Sequence, residues 1–159
     1  MWVVGCGAHP GPDTLRALPD QTSEEAGPAN PTGPQAAVNL HLPSRPDSPM
    51  TARHSLAELE GSVPPETMAR LRLLVTELVA NSVRHARGTP ITVAVRLEGD
   101  LVRADVSDGG AGFDPPDSDP NPLKSAGWGL FLVRKIAKRW GSEQATGTVW
   151  FELERDVSR

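Results

Sequence analysis

Apolar residues recur along this chain in two rhythms, and each change of rhythm marks an element. Between about Glu66 and Arg87, Met68, Leu71, Val75, Leu78, Val79 and Ala86 share one side at helical spacing, which predicts a long helix with one buried stripe. Ala37–Leu42 sets Val38, Leu40 and Leu42 against Asn39 and His41, and Ile91–Leu97 and Leu101–Val106 alternate as cleanly. These three runs predict half-buried strands. Glu98-Gly99-Asp100 joins the last two with the length and composition of a hairpin loop. Thr51–Leu59 predicts a short helix with Ala52, Leu56 and Leu59 inward, Ser48 or Thr51 as N-cap, and Gly61 at its end. Pro64-Pro65-Glu66 opens the long helix with Pro65 in its first turn. Leu130, Val133, Ile136, Ala137 and Trp140 predict a third helix, closed by Gly141 as its C′ residue. Glu143–Thr146 and Val149–Leu153, turned at Gly147, predict a final hairpin.

The resulting order, β-α-α-β-β-loop-α-β-β, predicts an α+β two-layer sandwich: a mostly antiparallel sheet with helices on one face. At 159 residues the chain is long enough for one domain with a real core. Residues 1–36 carry prolines at 10, 12, 19, 28, 31 and 34 and no sustained periodicity. They predict a disordered tail, with the folded domain at 37–155 and a short tail at 156–159. Asp114–Ala126 holds four prolines in thirteen residues and few apolar anchors, as expected of a surface loop that acts as a lid.

A net charge of −4 argues against a nucleic-acid binder that works by neutralising phosphates. The single cysteine, Cys6, forms no internal disulfide, and a reducing compartment fits. No run of 18 apolar residues is present, so no membrane span is expected. MWVVGC at the start lacks the basic region and apolar length of a secretory signal. The cytoplasm is the expected location.

The chemistry concentrates in ELVANSVRHA, Glu77–Ala86. At about 100° per residue, Glu77, Asn81, Arg84 and His85 share roughly one quadrant of the long helix, opposite its apolar stripe. Asn is a poor helix former in mid-helix, so its presence there points to a bound group. Asp108-Gly109-Gly110-Ala111-Gly112 follows the third strand directly, and Gly127-Trp128-Gly129-Leu130 leads into the third helix.

These three blocks, in this order and context, resemble the N, G1 and G2 boxes of the GHKL ATPases, the superfamily that includes gyrase and the histidine kinases. Within it the chain is similar to anti-sigma-factor serine kinases over about residues 38–155. The resemblance implies the GHKL ATP-binding fold, with ATP and Mg²⁺ as cofactors. Asn81 would be the Mg²⁺ ligand through its amide oxygen, a donor that suits a hard cation. Glu77 would orient or deprotonate an attacking hydroxyl; by itself it also fits a solvated glutamate or a partner of Arg84. Arg84 and His85 would touch phosphate, or simply close the helix. Asp108 would accept a hydrogen bond from the adenine amino group, and Gly110 and Gly112 would let backbone approach base and sugar. Gly127, Gly129 and Leu130 would bring a helix start to the phosphates, with Lys124 and Ser125 adding a cation and a donor, or remaining ordinary loop.

Two departures from the family pattern stand out. Trp128 occupies the place where relatives often carry Arg, and the lid is short and proline-rich. The chain also lacks a transducing second domain and a phosphoacceptor-His hairpin. The resemblance therefore implies a free-standing protein serine/threonine kinase that acts on an anti-anti-sigma (STAS-type) partner and controls a sigma factor, with Arg53 on the first helix as a partner contact. The alternatives are a nucleotide-gated interaction module with little or no kinase activity, and a detached histidine-kinase catalytic domain. Whether the chain forms a homodimer is left open.

Overall fold

A computed structural model describes residues 36–85, 88–110 and 128–155, all within one compact unit, Pro31–Arg159. Strand β1 (Ala36–Leu42) leads to helix α1 (Ser48–Ser55), a 3₁₀ turn (Leu56–Leu59) and helix α2 (Pro65–His85). Strands β2 (Ile91–Glu98) and β3 (Leu101–Ser107) follow, then helix α3 (Trp128–Ile136) and strands β4 (Arg139–Glu143) and β5 (Thr148–Glu154). The five strands lie in the order β1-β2-β3-β5-β4, and every neighbouring pair is antiparallel. This is the α+β sandwich that the hydrophobic pattern predicts.

Alternation places one row of apolar side chains after another on the inner face. Val38, Val95, Ala104 and Phe151 pair across four strands, and all four are buried. The small Ala104 leaves room for the ring of Phe151 beside it, as close packing requires. α2 answers this face with Met68, Leu71, Leu74, Val75, Leu78 and Val79, all 3 % exposed or less. Burying each such side chain contributes about 1.5–3 kcal/mol before ordering entropy is subtracted. This stripe fixes the rotation of α2 about its axis, and with it the direction of every polar residue on the helix.

The outer face of the sheet carries charge. Arg96 and Arg103 bind Asp105, at 2.7 and 3.1 Å, while Arg103 and Arg139 bind Glu152, at 3.2 and 2.6 Å. Arg103 also lies 4.3 Å from the centre of the Trp150 ring. Burial alone would lower the pKa of Arg103, but hydrogen bonds and charge from Asp105 and Glu152 outweigh it and raise the pKa above its ordinary value.

Two local expectations change. α1 begins at Ser48 rather than Thr51, and neither hydroxyl caps it: Ser48 Oγ donates to the Pro43 carbonyl and Thr51 Oγ1 to the Asp47 carbonyl. α3 ends at Ile136, and Trp140 and Gly141 belong to β4, which ends at Glu143, so that Gln144, Ala145 and Thr146, expected in that strand, form the turn before β5. Pairing with β5 overrides the helical spacing there. Trp140 stands opposite Phe151 and packs against the core. Gly141 seats Trp150 instead of capping a helix, because a Cβ at Gly141 would lie 2.8 Å from that indole ring.

Candidate functional site

α2 sets the geometry of the site. With Leu74, Val75, Leu78 and Val79 in the core, Glu77 and Asn81 are held half-buried on another side of the helix. Among the described residues, neither the Glu77 carboxylate nor the Asn81 amide has a hydrogen-bond or ion-pair partner. Polar side chains withdrawn from water usually find one. Two half-buried groups, one turn apart and both left open, leave oxygens available to something else.

α3 comes to this spot by its first turn. A Cβ on Gly129 would stand 3.3 Å from the Glu77 carbonyl oxygen and 3.5 Å from the Glu77 Cβ. Glycine thus lets the start of α3, with its positive dipole end, rest directly on α2 beside Glu77. The helix already begins at Trp128, so Gly129 lies inside it rather than before it. The Leu130 side chain is 3 % exposed and belongs to the core, leaving only its main chain for a ligand. Trp128 meets Phe131 edge-on, with ring centres 5.6 Å apart.

The third component arrives through the sheet. β2 begins at Ile91, six residues after α2 ends, and its Thr92 pairs with Ser107, which in turn pairs with Thr148. The C-terminal turns of α2, the exit of β3 and the β4–β5 turn therefore share one end of the sandwich. At that exit Asp108 is half-buried, and its Oδ1 accepts the Gly110 N–H at 2.9 Å, an Asx-type turn. Its second oxygen accepts no hydrogen bond among the described residues. Two further links were not foreseen: Ser107 Oγ donates to the Thr146 carbonyl at 2.9 Å, and the Asp108 N–H donates to the Gly147 carbonyl at 3.3 Å. They follow from β3 and β5 being neighbours, which no local pattern in the sequence reveals.

The other expected residues fall elsewhere. Arg84 and His85 are exposed on the last turn of α2, where positive charge also suits the helix dipole. Arg53 is exposed on α1 and shares no hydrogen bond or ion pair with the cluster among the described residues. Gly112, Lys124, Ser125, Gly127 and the 114–126 loop lie outside the described residues.

Among the described residues no group of three or more His, Cys, Asp or Glu gathers as a metal cage. Among the described residues, the open donors on this side of α2 are one amide and one carboxylate. That set fits a small hard cation that takes few protein oxygens and completes its shell with water and phosphate, as Mg²⁺ does. It does not fit a structural zinc site.

The comparisons with known proteins agree with the fold. The family model for the histidine kinase-like ATPase domain matches residues 42–152. The serine-protein kinase RsbW of Listeria monocytogenes serovar 1/2a is 29% identical over 116 residues, which cover 62% of this chain and 74% of the relative. The protein of the same name from Listeria innocua serovar 6a is 28% identical over the same length and shares. With the sandwich, the open pair on α2 and the glycine-seated helix start in place, the chain belongs to the histidine kinase-like ATPase domain family.

Proposed function

We propose that this domain binds ATP with Mg²⁺ and transfers the γ-phosphoryl group to a serine or threonine hydroxyl of an anti-anti-sigma (STAS-type) protein, so controlling a sigma factor. The observation that carries this reading is the Glu77–Asn81 pair, without a partner among the described residues, with Glu77 against the start of α3. The kinase named in both Listeria relatives supports it.

Mg²⁺ bound with the nucleotide supplies charge neutralisation at the phosphates. Asn81 Oδ1 would hold that metal, and the positive dipole end of α3 would face the phosphate oxygens. Asp108 accepts a hydrogen bond from the adenine amino group through the carboxylate oxygen that Gly110 does not use. Glu77 orients the acceptor hydroxyl and takes its proton as the new O–P bond forms and the bond to the ADP oxygen breaks; positioning and charge do most of the work in such a transfer. Arg53, exposed on α1, contacts the protein partner. No helix among the described residues is long and apolar enough to cross a membrane, and we place the activity in the cytoplasm.

The test is incubation with labelled ATP, Mg²⁺ and candidate STAS partners, followed by identification of the labelled residue. Phosphoserine or phosphothreonine supports the reading. Phosphohistidine would make the chain a detached histidine-kinase catalytic domain. Binding without transfer would make it a nucleotide-gated interaction module, a reading favoured by Trp128 standing where a cation would otherwise face phosphate.

A further inference from the structure

We infer that the β4–β5 turn, through Gly147, positions the Asp108 carboxylate and so sets selectivity for adenine over guanine; the inference rests on the role proposed above for Asp108. Gly147 has φ +60, and a Cβ built on it would lie 2.7 Å from the Gly110 nitrogen, 2.8 Å from Asp108 Oδ1 and 2.9 Å from the Gly110 oxygen. The turn is thus in contact with both ends of the Asp108–Gly110 hydrogen bond, and only a bare α-carbon fits there.

The contact is held from several sides. The Gly147 carbonyl accepts the Asp108 N–H, and the Thr146 carbonyl accepts Ser107 Oγ. Thr146 Oγ1 bonds both Glu143, at 3.0 Å, and Thr148 Oγ1, at 2.7 Å, which fixes the turn itself. A carboxylate on a flexible glycine loop would otherwise rotate. Pressed between Gly110 and Gly147, it has one oxygen engaged and the other free in one direction. That fixed direction lets it accept from an exocyclic amine and reject the carbonyl that guanine places there.

Gly99 provides a matched control. It has φ +58, nearly that of Gly147, but a Cβ there meets nothing within 4 Å, in the β2–β3 turn at the opposite end of the sheet. Gly147→Ala and Gly99→Ala therefore carry the same left-handed backbone cost, and only the first displaces Asp108.

The experiment measures ATP and GTP affinity by calorimetry for the full chain and both variants, with the melting temperature of each. Gly147→Ala is expected to lower the ATP:GTP affinity ratio by roughly tenfold or more, since hydrogen bonds to charged groups carry effects of that size. Gly99→Ala should lower only the melting temperature. A folded Gly147→Ala chain with the wild-type ratio overturns the inference. Should that variant not fold, Ser107→Ala decides: loss of one link to the turn should lower the ratio about threefold, and an unchanged ratio overturns the inference. Wild-type protein that does not prefer ATP overturns the role of Asp108 itself, a result distinct from the others.

Discussion

The two halves of α2 spend their polar groups differently. Near its start, Thr67 Oγ1 donates to the Glu154 carbonyl at 3.0 Å, Arg70 pairs with Glu66, and Arg72 pairs with Glu60. The adjacent chain is tied as firmly: Arg155 donates its main-chain N–H to Asp100, Nη1 to Gly99 and Nη2 to Ser62, and only its buried Nε lacks a partner among the described residues. Toward the far end of the same helix, Glu77 and Asn81 are half-buried with no partner among those residues. One end of the sandwich is closed on itself. The other leaves the Glu77 carboxylate and the Asn81 amide without partners among the described residues, at some cost in stability, as sites that bind something else do.

The sharpest way to break that comparison is Glu77→Gln. If the carboxylate acts on the acceptor hydroxyl, phosphoryl transfer should fall by about 10²–10⁴, while ATP affinity stays within about twofold. The melting temperature should hold or rise, because an unpaired half-buried charge has been removed. A fall of several degrees would mean that Glu77 supports the fold, and the open end would be closed after all.

Asn81→Ala comes next. ATP affinity measured with Mg²⁺ should drop at least about tenfold, toward the value measured without the metal. Ala is the better helix former, so the substitution should also stabilise the free protein by about 0.5 kcal/mol. Weaker binding together with a more stable fold is the signature of a residue kept for a ligand. Undiminished Mg²⁺-dependent affinity would remove the metal from Asn81.

How much of this could be read from the chain follows the range of the forces involved. Asn81 was legible because an amide in mid-helix, opposite an apolar stripe, violates a local preference. The three strands β1 to β3 were legible from alternation alone. β4 was not: Trp140 sits at helical spacing from Val133 and Ile136, and its pairing with Phe151 depends on where the sheet has room. Gly141 looked like a helix stop for the same reason, while its function is to accommodate Trp150. The hydrogen bonds from Ser107 to Thr146 and from Asp108 to Gly147 join segments almost forty residues apart, and only the β3–β5 pairing brings them together. Local chemistry singled out the candidate residues, and long-range register built what surrounds them.

At the closed end, Arg155→Ala should cost about 1–2 kcal/mol, because it leaves the Gly99 and Ser62 carbonyls without their donors. The loss would show in the denaturant midpoint, with ATP affinity within about twofold of wild type. A larger effect on nucleotide binding than on stability would contradict the division between the two ends.

Thr67→Val makes the smallest and cleanest test of that division. Thr67 is 1 % exposed, and its hydroxyl bonds only the Glu154 carbonyl among the described residues. Valine keeps the branched shape and nearly the same helix propensity, so the change isolates one hydrogen bond worth about 1 kcal/mol. A domain of this size would then melt about 2–8 °C lower. Glu77 and Asn81 lie ten and fourteen residues along the helix, about 15–21 Å away at 1.5 Å per residue, beyond the range at which mutational effects usually couple. Nucleotide affinity and selectivity should therefore not move. Were Thr67→Val to change them, α2 would be transmitting strain from its tied half to its open half, and the two ends would have to be treated as one device.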